Sequence, residues 1–210
     1  MDEGVETYGW QSQDAPASCD YLAPTVIDLL RRLGVRRVCD AGAGNGALAA
    51  DLLAAGFYVA GADRDLEGVQ IARRSHPSIH FYHLAMEHDP GVILAAEGDK
   101  FDAVVSTEVV EHLYDPASLP LFAGRLLSDN GHLLVSTPYH GYLKNVALSL
   151  LARWDQHHDP LRQGGHIKFW SRDTLTRLLE DNGFGVVAFR GVGRVPWLWK
   201  SMIIVAQKRA

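Results

Sequence analysis

One stretch limits most of what this chain can become: Arg37-Val38-Cys39-Asp40-Ala41-Gly42-Ala43-Gly44-Asn45-Gly46. It begins apolar and β-prone, runs into glycines, and is followed by the Ala- and Leu-rich segment Ala47 to Ala55. That order predicts a buried strand, a tight turn and a helix. Glycine is needed where the backbone takes positive φ, or where a ligand comes too close for a Cβ. The first N–H groups of a helix lack partners within it, so they are expected to face that ligand. A nucleotide-like cofactor follows. Its identity does not, because Gly42, Gly44 and Ala47 also satisfy the dinucleotide fingerprint G-x-G-x-x-G/A.

The rest of the chain extends this unit into a sheet. Apolar residues recur at helical spacing from Asp20 to Leu33, and strands are expected at 35–41, 57–62, 79–84, 101–106 and 132–136. Helices are expected at 47–55, 66–74, 117–127 and 171–183, with a weaker segment at 90–98. Strands alternating with helices predict parallel βαβ units and a doubly wound α/β sheet. The last two strands, 184–190 and 201–206, are joined by a loop too short for a parallel crossover, so the seventh strand should run antiparallel. One domain over residues 1–210 is expected, with an N-terminal arm and helix at 1–34. The polar and aromatic run from Tyr8 to Ala17 would be an arm or lid, and Tyr139 to Phe169, a long connection after strand five, a helical lid insertion.

Charge and composition exclude several classes. Twenty Lys and Arg against 25 Asp and Glu give a net charge of −5, so no global basic field invites nucleic acid. The chain has two cysteines, too few for a disulfide framework or a zinc pattern. No run approaches the roughly 18 apolar residues of a membrane span. Met1-Asp2-Glu3-Gly4 opens no apolar signal segment, and a cytoplasmic location is expected. Membrane contact, if any, would be peripheral. Nothing in the sequence sets the oligomeric state.

Acidic residues at strand ends discriminate between cofactors. Asp63 closes the second strand at a spacing from Gly42 that suits the ribose hydroxyls of a dinucleotide or an adenosyl group. Its plainer role would be a charge at the start of the next helix. Asp40 is more telling. A pyrophosphate over the glycine turn would meet this carboxylate as a like charge in a poorly solvated place. S-adenosylmethionine brings an ammonium and a sulfonium instead, and a carboxylate favours both.

Val38 to Gly46 resembles the first motif of the class I S-adenosylmethionine-dependent methyltransferases, which share a Rossmann-like seven-stranded sheet with the last strand antiparallel. The resemblance runs from about Tyr21 to Lys208. Asp63 falls where that family holds the ribose, and Ala85-Met86-Glu87 where it contacts the adenine. Phe101 to Leu113 is similar to the fourth motif in its ubiquinone-biosynthesis O-methyltransferase branch, and His166-Ile167-Lys168-Phe169-Trp170-Ser171 also resembles that branch. The cofactor set this implies is Asp40, Gly42, Gly44, Asn45, Gly46, Asp63, Arg64, Met86, Glu87, Thr107 and Glu108. A small-molecule acceptor, phenolic or modestly apolar and methylated on oxygen, is the implied substrate. A nicotinamide-dependent oxidoreductase and a cofactor-binding regulator without turnover are the competing readings. The Asp/Asn-Pro-Pro-aromatic element of nucleic-acid amino-methyltransferases is absent after strand four, where Ser106-Thr107-Glu108 stands.

On the acceptor side, Glu108, Glu111 and His112 would share a face if their segment were helical. They could then hold a divalent cation, as ubiquinone-type relatives are understood to do with Glu-x-x-Glu-His. Otherwise His112 would simply bond the loop beneath the cofactor. A hydroxyl acceptor needs a base. His140 and His166 bracket the insertion and are the first candidates, with His157 and His158 behind them. Tyr142, Leu143, Val146, Ala147, Leu150, Leu151 and Trp154 form an apolar helical stripe that could close over an acceptor, pack on the domain, or face lipid or a prenylated substrate. Trp197 and Trp199 would line an apolar pocket, or serve in the core or an interface.

Overall fold

The computed structural model describes residues 10, 14–155, 161 and 164–209. Tyr8, His157 and His158 lie outside them. Seven strands form one sheet in the order β3-β2-β1-β4-β5-β7-β6. These are β1 (Arg37–Ala41), β2 (Tyr58–Asp63), β3 (His80–His83), β4 (Phe101–Thr107), β5 (Leu127–Pro138), β6 (Phe184–Val192) and β7 (Ser201–Lys208). β1 pairs in parallel with both β2 and β4, so chain order reverses direction at β1. β7 runs antiparallel between β5 and β6, as the short last connection requires.

Helices α1 (Cys19–Arg32), α2 (Ala47–Ala54), α3 (Leu66–Ser75), α4 (Gly91–Glu97), α5 (Ser118–Leu126) and α6 (Tyr142–Leu150) precede α7 (Arg172–Asp181). Two apolar clusters form the core. One includes Phe101, Phe122, Leu126 and Phe184, and the other Leu30, Leu52, Val59 and Phe81. The central strands are buried on both faces (β1 shows Val38, Cys39, Asp40 and Ala41 all buried), which is why they read as continuous apolar runs rather than alternating ones. Local caps set the helix entries. The Asp65 carboxylate accepts from the Glu67 and Gly68 N–H groups to start α3, and Ser171 with Thr174 forms a reciprocal capping box at α7.

Two details depart from expectation. β5 begins at Leu127, before the Asn130-Gly131 turn. Phe101 pairs with Leu127 and Ala103 with His132, so the residues between bulge out of the ladder, with Asn130 at φ 62. The helix-start charge ascribed to Asp63 belongs to Asp65, leaving Asp63 for other partners.

Candidate active site

The carboxyl ends of β1, β2 and β4 open on a cavity of about 380 Å³, inside the ~300–1,000 Å³ range of small-molecule sites. Open parallel sheets place their ligands at such a reversal point. Asp40, Gly42, Asn45, Asp63, Arg64, Met86, Glu87, Thr107 and Glu108 line it, with His112 and His166 at the far side. Gly44 and Gly46 do not line it. A Cβ on Gly44 would collide with the Trp10 ring, and one on Gly46 would press on Phe81 beneath the turn. Gly42, at φ 90, clears the Val109 side chain. The glycines therefore make room for protein as well as for a ligand.

Four backbone donors of the turn are taken up inside the protein. Gly42 and Ala43 donate to the Ala62 carbonyl at 2.8 and 3.0 Å, and Gly46 donates to the Ala43 carbonyl at 2.8 Å. Gly44 donates to Asp63 Oδ2 at 2.7 Å, while Asp65 N–H donates to Asp63 Oδ1 at 2.8 Å. Asp63 thus ties β2 to the turn, and each of its oxygens keeps a lone pair for a further donor. The Gly42, Ala43, Gly44 and Gly46 amides are thereby committed inside the protein, which leaves fewer free N–H groups of the kind such loops use to bind a pyrophosphate.

Asp40 is the electrostatic centre of this half. It is buried, and neither carboxylate oxygen has a hydrogen-bond partner among the described residues. Burial, and then the nearby Asp63 charge, push it up from 3.8 to about 7. A buried carboxylate without donors is expensive and calls for a cation.

The segment after β4 is a turn rather than a helix, so 108, 111 and 112 do not share a helical face. Glu108 sits at φ 55, and His112 N–H closes the turn on the Val109 carbonyl at 2.9 Å. The left-handed backbone sends Glu108 back toward the sheet, where it accepts from Ser136 Oγ at 2.8 Å and Ser201 Oγ at 3.2 Å. Burial raises it to about 7, against the pull of those two hydroxyls. The group that joins Glu111 and His112 is His166: one ligand atom from each of the three lies within 4.8 Å of the others. Glu111 is buried, neither of its oxygens has a hydrogen-bond partner among the described residues, and His166 Nε2 stands 3.9 Å from its Oε1. Burial and then Glu108 push the Glu111 carboxyl well up. His112 Nδ1 lies 3.0 Å from the Gly165 carbonyl; since only a donor suits that oxygen, Nε2 is the nitrogen turned to other partners.

His140 stands apart. Its ring packs edge-on against Phe169 at 4.5 Å, and it does not line the cavity. Trp197 and Trp199 are also absent from the walls: Trp199 packs on Tyr139 and Phe189, while Trp197 is exposed. Sequence reasoning missed Cys19, Gly164 and Gly165 as lining residues, and Ser136 and Ser201 as partners of Glu108. Only the lone Trp10 in a polar arm carried a signal.

A family model described as "Methyltransferase domain" matches residues 17–188. The ubiquinone biosynthesis O-methyltransferase of Ruegeria pomeroyi is 30% identical over 200 residues, covering 88% of this chain and 77% of that protein. The enzyme of the same name from Dinoroseobacter shibae is 33% identical over 162 residues, covering 74% and 62%. The chain spans about 62 to 66% of the length of several such relatives. Among solved structures, magnesium protoporphyrin IX methyltransferase from Synechocystis with bound SAH superposes at a TM-score of 0.66 and 20% identity, covering 90% of this chain and 82% of that one. A Burkholderia thailandensis N1-methyltransferase bound to S-adenosylhomocysteine gives 0.63 and 18%, covering 90% and 77%. Both share the fold.

Proposed function

The chain belongs to the methyltransferase domain family, and from that premise we propose that it transfers the methyl group of S-adenosylmethionine to a hydroxyl of a small, modestly apolar, phenolic acceptor. The observation that carries this reading is Asp40: a buried carboxylate with no hydrogen-bond partner among the described residues, under a turn whose Gly42, Ala43, Gly44 and Gly46 amides are taken up inside the protein. A cofactor with an ammonium and a sulfonium answers both features. A dinucleotide answers neither, which disfavours the oxidoreductase.

In this reading Asp40 pairs with the methionyl ammonium, directly or through water. Asp63 accepts the ribose hydroxyls on its remaining lone pairs. Leu84 and Met86, which line the cavity, flank the adenine. Methyl transfer then asks little beyond in-line placement. The acceptor oxygen forms a bond to the methyl carbon as the carbon–sulfur bond breaks, and the sulfonium becomes a neutral thioether. The hydroxyl proton passes to His166, which lines the cavity, rather than to His140, which does not.

Glu111, His112 and His166 also suit a divalent ion: two imidazoles and a buried carboxylate with no hydrogen-bond donor among the described residues converge within one ion's reach. An ion bound there would orient an acceptor oxygen and lower its pKa. Ligation through His166 Nε2 and proton uptake at the same nitrogen exclude one another, so a metal titration separates the two roles.

Titration calorimetry with S-adenosylhomocysteine tests the cofactor assignment. Asp63→Ala should weaken binding about 30-fold or more, because it loses the ribose contacts and orphans the Gly44 and Asp65 N–H groups. Unaltered affinity in a folded variant would refute the site. Binding without turnover on any hydroxylated aromatic acceptor would support a regulator instead.

A further inference from the structure

The half of the cavity that holds Glu111, His112 and His166 is made of two segments that share no strand pairing. Residues 108–114 turn after β4, and residues 165–170 run without helix or strand toward α7. Neither has a ladder to keep its shape, so the bonds between them decide where His166 sits relative to Glu111. Main-chain and ring donors supply some of these. The Ile167 and Lys168 N–H groups both donate to the Glu111 carbonyl, at 3.0 and 3.1 Å. Trp170 Nε1 donates to the Val110 carbonyl at 3.4 Å, and the His112 ring meets the Gly165 carbonyl at 3.0 Å. The two shortest come from one side chain. The Lys168 ammonium donates to the Leu113 carbonyl at 2.7 Å and to the Tyr114 carbonyl at 2.9 Å.

Those two are also the charged ones. Hydrogen bonds from an ammonium are about twice as strong as neutral ones, whereas the Glu111 carbonyl is divided between two N–H groups. Lys168 thus grips the turn twice, by its main chain at residue 111 and by its side chain at 113 and 114. With the first hold alone the turn is free to tilt about the Glu111 carbonyl; the second removes that freedom. Lys168 does not line the cavity, but His166 and Ile167 beside it do, and so do Leu113 and Tyr114, whose carbonyls it holds. We propose that Lys168 is a positioning residue: its ammonium braces the 108–114 turn against the 165–168 segment and so keeps His166 facing Glu111 and His112. His166 Nε2 stands 3.9 Å from Glu111 Oε1, and its ring lies 5.0 Å from that of His112, separations that a small tilt would open. The role rests on the reading of these three residues as an ion site, or of His166 as the base, because either needs its donors held in one place. The brace itself belongs to the two segments and does not depend on what the cavity binds.

Lys168→Met keeps an apolar stem of similar length and removes the donors, which makes it the test. Circular dichroism should be unchanged, and so should S-adenosylhomocysteine affinity, because Asp40 and Asp63 stand in the other half of the cavity. The Ile167 amide should exchange with deuterium about tenfold faster or more, and the His166 ring signal in nuclear magnetic resonance should move. Mn²⁺ affinity should fall about tenfold or more, and with any acceptor that the wild type methylates, kcat should fall while KM for S-adenosylmethionine holds. Arg125→Met, which removes an exposed ion pair with Asp89, should change none of these. Unchanged Ile167 exchange and an unmoved His166 signal in Lys168→Met would overturn the proposal. So would faster exchange with full Mn²⁺ affinity and full kcat, since the segment would then be loosened without disturbing the site. A parallel loss of S-adenosylhomocysteine affinity would make Lys168 a general support of the fold and overturn it too. A wild-type chain that neither binds Mn²⁺ nor methylates an acceptor would refute the functional reading by itself, and amide exchange with the His166 signal would then decide the brace.

Discussion

Replacing Asp40 by Asn changes one charge in a space that already fits the side chain, and its consequence can be worked from the burial. The free carboxyl is held at about 7 by burial and by Asp63. A ligand ammonium beside it favours the ionised form, and full pairing would return it toward its ordinary value near 4. That difference of about three pK units corresponds to about 4 kcal/mol at ~1.4 kcal/mol per unit, an upper bound on the coupling. Linkage then sets the pH dependence. The ligand prefers ionised Asp40, so binding weakens as the pH falls below about 7 and a proton must be displaced. Between about pH 7.5 and 5.5 the wild-type affinity should drop about 20-fold. Above that range Asp40 is ionised without the ligand, so the dependence levels off there. Asp40→Asn should bind about 30-fold more weakly at pH 7.5, with an affinity that no longer follows pH. The assay is calorimetry with S-adenosylhomocysteine in two buffers of different ionisation enthalpy, which also counts the proton released. A wild-type affinity flat across this window, with no proton released, would refute the pairing.

Glu108 makes a second pH-dependent prediction, this one for the protein without ligand. Its carboxyl rises from 4.5 to about 7 in the fold. Between those values the folded chain keeps a proton that the unfolded chain has released, so stability falls as the pH rises through the window. One such group contributes at most about 1.4 kcal/mol per pH unit. Urea unfolding at fixed pH should show this decline, flattened in Glu108→Gln; an unchanged slope would mean that Glu108 stays ionised in the fold. For the metal, Mn²⁺ titration followed by electron paramagnetic resonance should show Glu111→Gln and His166→Ala each weakening binding about tenfold or more. Glu108→Gln should retain it, because that carboxylate is turned to Ser136 and Ser201. Equal losses in all three would return Glu108 to the ligand set.

The fold was legible because its signals are local. Strands buried on both faces announce themselves as apolar runs, and Asp40, Gly42 and Gly44 stand at fixed offsets from the first of them. The antiparallel β7 followed from the length of a single loop. What was not legible depended on the backbone at one residue or on contacts across the chain. A helical spacing for 108, 111 and 112 assumed a helix that the left-handed Glu108 forbids. His166 meets Glu111 across 55 positions of sequence, and no local pattern encodes that. The stripe in α6 was visible as a period. Its direction was not, because a hydrophobic period gives the face and not what the face meets.

The loop from Thr107 to Leu113 divides the cavity by chemistry. On one side Asp40 and Asp63 stand under the glycine turn. On the other, Glu111, His112 and His166 gather beneath Gly165. Val109 fills the space between, in contact with the position where Gly42 lacks a Cβ. Each side buries a carboxylate without a hydrogen bond among the described residues, and burial pushes each toward its neutral form. Such groups oppose the fold when ionised, so ligands that supply positive charge should recover that cost on binding. A cationic cofactor on the first side and a proton or a divalent ion on the second meet the same need. Glu108 lines the cavity between the two sides; held by two hydroxyls against β5 and β7, it fixes the dividing turn, and its left-handed backbone is what defeats a helical reading of Glu111 and His112.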